Sequence, residues 1–116
     1  MSRINLVDLE VFYQIGITDE ERAKPQRLLI TVEMDYDVSA AALSDRLEKT
    51  INYFDVAQEL LKYGQNRSWK LLEKLTANIA DFILARFKPE AVTVEIKKFP
   101  IPEARYVSVI LARSRS

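Results

Sequence analysis

The stretch from Ser68 to Phe87, SWKLLEKLTANIADFILARF, constrains the fold more than any other part of the chain, because it carries the longest clean helical period. At about 100° per residue, Leu71, Leu72, Leu75, Ile79, Phe82, Ile83 and Phe87 share one arc, wide enough for a helix lying on a sheet. Ser68 is the expected N-cap. Glu73 lies just beside that arc, near the first turn, with Thr76, Ala77 and Ala80 as small neighbours along the helix. A glutamate there ordinarily complements the helix dipole and stays solvated. The room around this carboxylate leaves a binding role open beside that plain one.

The segments around the helix read mostly as strands. From Ile4 to Ile15 the pattern alternates, with Val7, Leu9, Val11 and Tyr13 on one parity, and it ends at Gly16. The following ITDEERAKPQ is a connection with room for a helical turn. Leu28 to Val38 is the clearest strand, Ile30, Val32, Met34 and Tyr36 alternating with polar residues, and it pairs with the first in a long hairpin. Ser39 to Thr50 is a connection with partial helix, anchored by Leu43 and Leu47. A second helix starts near Asn52, runs through Phe54, Val56, Leu60 and Leu61, and stops at Gly64.

After Lys88-Pro89, Ala91 to Lys98 is a β-branched strand; Phe99-Pro100-Ile101-Pro102 interrupts pairing, and Tyr106 to Ala112 forms the last strand. The expected architecture is a single α+β domain over 1–116, order ββααββ, with a four-stranded antiparallel sheet and two helices on one face. The other face then stays uncovered, and its apolar Leu6, Phe12 and Leu29 point to burial by another subunit.

Composition narrows the chemistry. Seventeen basic and seventeen acidic residues, interspersed, leave no basic block to follow a phosphate backbone, which argues against nucleic acid as a partner. The lack of a signal peptide or a long apolar run predicts a soluble cytoplasmic protein with no membrane partner. With no His and no Cys, the common zinc sites and the Ser-His and Cys-His nucleophile pairs cannot be built. Proton transfer near neutral pH falls to a perturbed Lys, Tyr, Glu or Asp, or to water.

Lys98 is the sharpest single observation, since it continues the apolar parity of Val92, Val94 and Ile96. An ammonium there must turn to solvent, find a partner or lose its proton. The first outcome is a strand end, and the others make Lys98 an acid or base. Glu20 and Glu21 sit in a loop at a strand end, where side chains either converge on a cleft or are simply solvated. Tyr53, at a helix start, either packs or presents its hydroxyl.

Taken in order, these residues resemble the dihydroneopterin aldolase family. The resemblance covers nearly the whole chain. It is carried by G-I-T-D-E-E-R at 16–22 with Pro25-Gln26, S-D-R-L-E-K-T-I-N-Y at 44–53, L-L-E-K-L at 71–75 and V-E-I-K-K at 94–98. Departures lie at Ile15 and in the Phe99-Pro100-Ile101-Pro102 loop.

The resemblance implies the tunnelling fold and a metal-independent lyase of folate biosynthesis that needs no cofactor. Its substrate would be a pterin, 7,8-dihydroneopterin, cleaved to 6-hydroxymethyl-7,8-dihydropterin and glycolaldehyde. Glu73 resembles the pterin anchor, with the backbone around Leu72 and Ile51 completing the ring-edge contacts. Tyr53 resembles the tyrosine that a neighbouring subunit lays over the pterin and that serves in proton transfer. Lys98 resembles the lysine that works with a bound water as base, and Glu21 the acid that holds it. A homo-octamer of two tetrameric rings with active sites between subunits is also implied. The alternatives are dihydroneopterin triphosphate 2'-epimerase, for which Arg22, Lys24, Arg67 and Arg105 would face the phosphates, and a non-catalytic ring-forming scaffold.

Overall fold

The computed structural model describes residues 1–115. Two strands, β1 (Arg3–Ile15) and β2 (Gln26–Asp35), form the long antiparallel hairpin. Between them a single helical turn, α1 (Asp19–Arg22), is capped by Thr18, whose side chain accepts from the Glu21 N–H. The connection after β2 holds α2 (Ser39–Ser44) and a 3-10 turn (Leu47–Lys49). Then follow α3 (Tyr53–Tyr63), β3 (Ser68–Trp69), α4 (Leu72–Phe87), β4 (Ala91–Lys98) and β5 (Val107–Ser114).

The sheet is five-stranded and mixed, in the order β3-β1-β2-β4-β5. This corrects the four-stranded antiparallel ββααββ expectation, and the reason is a pairing between segments distant in sequence. Ser68, expected to cap the long helix, instead pairs in parallel with Gln14, and Trp69 with Ile15. Helix α4 therefore begins only at Leu72, and Leu71, its N-cap, makes no side-chain capping bond and is exposed. In the strand Trp69 is buried and stacks on Tyr13, at 5.7 Å between ring centroids, burying a large aromatic surface. Among the described residues four α-helices accompany the sheet, α1 and α2 being short.

A bulge in β1 changes which residues face the core. Asp8 adopts φ 55°, and the register against β2 shifts between Leu6 and Leu9. The extra residue places Leu6 and Leu9, three apart, against the same core, whereas an unbroken strand would oppose them. Val7, expected inside, is thus exposed, and Leu6, expected on the open face, packs on the core.

One face of the sheet supplies Val11, Tyr13, Ile15, Leu28, Ile30, Val32, Met34, Val92, Val94 and Ile96, all buried. Helix α4 covers β4 and β5, and α3 covers β1. From α4 come Leu75, Ile79 and Ile83, fully buried; each stabilises by about 1.5–3 kcal/mol relative to exposure. From α3 come Val56 and Leu60, while Phe54 and Leu61, expected in the same stripe, are exposed. Leu43 and Leu47, read as anchors, are exposed as well. The α3 carbonyl of Leu60 accepts the Tyr13 hydroxyl at 2.5 Å, which ties that helix to β1. On the opposite face Phe12 and Ile110 are exposed. No helix among the described residues is long and apolar enough to cross a membrane.

Candidate functional site

Lys98 stands where its strand parity predicts, at the end of β4 and paired in register with Val107. Its side chain is only 14% exposed, and its Nζ lies 3.3 Å from Glu21 Oε2. The ammonium is thus paired rather than released to solvent. The partner comes from α1, far away in sequence, and two hydrogen bonds fix it there. Thr18 Oγ1 accepts from the Glu21 N–H at 3.1 Å, and the Ile17 N–H donates to Glu21 Oε1 at 3.0 Å. Gly16 leaves space beneath: a Cβ on it would meet Glu21 Cβ at 2.4 Å. The hydrogen bond from Lys98, then that from Ile17 N–H, holds the Glu21 carboxyl below the usual glutamate range.

The loop that carries Glu21 is docked on the rest of the fold. Gly16 N–H donates to the Trp69 carbonyl at 3.0 Å, and Gln26 Nε2 donates to the carbonyls of Ile15 and Glu21. Gln14 Nε2 donates to the Arg22 carbonyl at 3.0 Å. Trp69 in turn lies three residues ahead of Leu72, so α4 starts at the same end of the sheet. Leu72 is buried, and Glu73 is exposed in the first turn, where it makes no ion pair or side-chain hydrogen bond among the described residues. Backbone N–H groups of that turn lack intrahelical partners. The end of the sheet therefore offers a free carboxylate, open N–H donors and an ammonium–carboxylate pair.

Tyr53 and Ile51 are not part of this cluster within one chain. Asn52 caps α3, its side chain accepting from the Phe54 N–H at 3.0 Å, and Tyr53 begins the helix. Tyr53, 62% exposed, and Ile51, buried, line a cavity of about 320 Å³ with Ile4, Val38, Leu47 and Phe54. Ile4 opens β1, whereas Lys97, next to Lys98, pairs with Leu29, which itself faces Glu10. Six positions of extended chain separate Glu10 from Ile4, on the order of 20 Å. Within one chain Tyr53 and Lys98 therefore lie toward opposite ends of the sheet.

The cations considered for a phosphate tail are differently engaged. Arg22 bonds to backbone carbonyls and to Asp19, and Arg67 lies over the Tyr63 ring at 4.4 Å. Sequence reasoning missed the clamps made by Gln14, Arg22 and Gln26. Their partners are main-chain carbonyls, which leave no mark in side-chain spacing; only the adjacency of Gln26 to Pro25 hinted that the loop closed there. Among the described residues no group of three or more His, Cys, Asp or Glu side chains is disposed to hold a metal ion.

Comparison with known proteins finds relatives that match along nearly the whole chain. The family model FolB, dihydroneopterin aldolase, matches residues 4–112. The dihydroneopterin aldolase of Haemophilus influenzae is 30% identical over 114 residues, covering 97% of each chain. The dihydroneopterin triphosphate 2'-epimerase of Pseudomonas aeruginosa is 28% identical over 116 residues, covering 99% of this chain and 94% of its own. Among solved structures, Escherichia coli dihydroneopterin aldolase in complex with neopterin superimposes with a TM-score of 0.93 at 29% identity, covering 98% of this chain and all of that one. With the family model spanning nearly the whole chain and relatives matching from end to end, this chain belongs to the dihydroneopterin aldolase family.

Proposed function

We propose that the chain is a dihydroneopterin aldolase acting in folate biosynthesis, and that it works as a tunnelling-fold homo-octamer of two tetrameric rings in the cytoplasm. The observation that carries the reading is the Glu21–Lys98 pair, held at the end of the sheet where α4 presents Glu73. The match to a relative solved with neopterin supports the same substrate class.

The pterin edge carries a 2-amino group and a ring N3–H, both donors, and the unpaired Glu73 carboxylate is suited to accept both. Two parallel charge-assisted bonds of this kind give orientation as well as energy. The backbone at Leu72 in the first turn of α4 and that at Ile51 complete the ring-edge contacts. Tyr53 of a neighbouring subunit lies over the ring and relays a proton. Sharing the site between subunits answers the separation of Tyr53 from Lys98 within one chain.

Lys98 and a water it orients take the proton from the substrate's 2'-hydroxyl, while Glu21 fixes the ammonium. The C1'–C2' bond breaks, the 2'-oxygen becomes the aldehyde of glycolaldehyde, and the electron pair enters the dihydropterin's own C6–N5 imine. Protonation at C1' then yields 6-hydroxymethyl-7,8-dihydropterin. The imine is the electron sink, so the cleavage calls for neither metal nor Schiff base.

Product analysis tests the reading. The protein incubated with 7,8-dihydroneopterin should release glycolaldehyde and 6-hydroxymethyl-7,8-dihydropterin, and Lys98→Ala should stop it. In a separate incubation with dihydroneopterin triphosphate, epimerisation with no cleavage of either substrate would instead assign the sister reaction, and turnover of neither would leave a scaffold.

A further inference from the structure

Arg22 is the least exposed charged side chain of the loop, at 15%, and it spends its donors on that loop's own backbone. One guanidinium nitrogen, Nη1, donates to the Gly16 carbonyl at 2.7 Å and to the Ile17 carbonyl at 2.9 Å. Nη2 reaches the Asp19 carboxylate, whose own side chain is fully exposed. The pairing with Asp19 alone, at such exposure, would contribute little. The carbonyl contacts carry the consequence.

The Gly16 carbonyl and the Ile17 N–H are opposite ends of one planar peptide unit. Arg22 holds its oxygen, and Glu21 Oε1 holds its N–H at 3.0 Å. The other carboxylate oxygen of Glu21 meets Lys98. A rigid plane therefore links the guanidinium to the lysine in three contacts. Its pivot is Gly16, at φ 156°, in a backbone region open to glycine that lets the plane turn unless something holds it. Gln26 fixes the carbonyls on either side of this unit, at Ile15 and Glu21, but not the unit itself.

We propose that Arg22 is a positioning residue of the site, locking the Gly16–Ile17 peptide so that its N–H fixes Glu21 and, through Glu21, Lys98. This rests on the aldolase reading for its catalytic consequence, though not for its geometry. Lysine can reproduce the contact only in part, since a shorter single ammonium lacks the second nitrogen by which the guanidinium reaches Asp19 while Nη1 holds both carbonyls.

The test compares wild type, Arg22→Met and Arg22→Lys by two readouts. In turnover of 7,8-dihydroneopterin, Arg22→Met should lower kcat by about 10- to 100-fold, as misplacement of a reacting group by an ångström does. KM should stay within about threefold, because the pterin anchor is untouched. Arg22→Lys should recover part of kcat. In a 13C titration of labelled glutamate, the Glu21 carboxyl should move up toward the ordinary glutamate range in Arg22→Met and less so in Arg22→Lys. If Arg22→Met does not fold, the same readouts on Arg22→Lys decide, with a smaller shift and a smaller loss of kcat. An unmoved Glu21 titration, or a kcat equal to that of an active wild type, overturns the inference. A wild type that cleaves nothing defeats the aldolase reading instead, and the Glu21 titration still judges Arg22.

Discussion

Gly16→Ala probes the site at its tightest point. The new Cβ would stand 2.4 Å from Glu21 Cβ, 2.7 Å from Cδ and 2.9 Å from Oε1. Carbon atoms rest at about 3.5–4.0 Å, so the overlap exceeds one ångström and cannot be absorbed by a small adjustment. Two responses are open to the chain. Holding the loop in place leaves an alanine at φ 156°, a region that costs on the order of 1–3 kcal/mol for a residue with a side chain. Opening the loop moves Glu21 off Lys98. Both follow from one added methyl group, so stability and turnover should fall together. The unfolding midpoint in urea, at fixed protein concentration, should drop by an amount equivalent to about 1–3 kcal/mol. The value of kcat should drop by about 100-fold, the scale of an ångström's displacement of a reacting group. Removing the obstacle isolates the steric part: in Gly16→Ala/Glu21→Gly the overlap with Glu21 is gone while the φ penalty remains. The added cost of Gly16→Ala should accordingly be smaller in the Glu21→Gly background. A Gly16→Ala protein with unchanged midpoint and unchanged kcat would refute the close packing of Glu21 on Gly16 and the argument built on it.

Two further outcomes follow from the placement of the remaining residues. Glu73→Gln should abolish neopterin binding by fluorescence titration while the unfolding midpoint stays within about 0.5 kcal/mol of wild type, since Glu73 is exposed and unpaired in the first turn of α4; retained affinity would remove it as the pterin anchor. Tyr53→Phe and Lys98→Ala chains, each inactive alone, should recover about one quarter of wild-type activity when unfolded and reassembled in equal amounts, because shared sites between subunits then include a fully intact class. Activity no higher than that of the separate variants would mean that the two residues act from the same chain.

Local pattern accounts for much of the fold. Strand β4 has the bounds its β-branched alternation predicts, Ala91–Lys98, and α3 runs from the Asn52 cap to the Gly64 stop. Those features depend on neighbours a few residues away, which a sequence displays directly. The bulge at Asp8 does not. Its positive φ is held by Thr31 Oγ1, which accepts from the Asp8 N–H at 3.0 Å, and by Lys97, whose Nζ meets the carboxylate at 3.0 Å. Two other strands supply those partners, so the reversal of Val7 and Leu6 is invisible in β1 alone.

The candidate site divides along the same line. The chain's own order and parity put Lys98 on the inner face of β4 and Glu73 in the first turn of a helix, because side-chain direction in regular structure follows from residue count. Tertiary structure decided that the lysine's partner is Glu21, that Ser68 and Trp69 extend the sheet rather than the helix, and that Tyr53 lies at the far end. The first two rest on contacts to main-chain groups: the Gly16 N–H on the Trp69 carbonyl far along the chain, and, within the loop, Arg22 on the Gly16–Ile17 peptide and Gln26 on the Ile15 carbonyl. A backbone carbonyl is the same at every residue, so the sequence alone cannot say which one a side chain will find; only the folded path of the chain does.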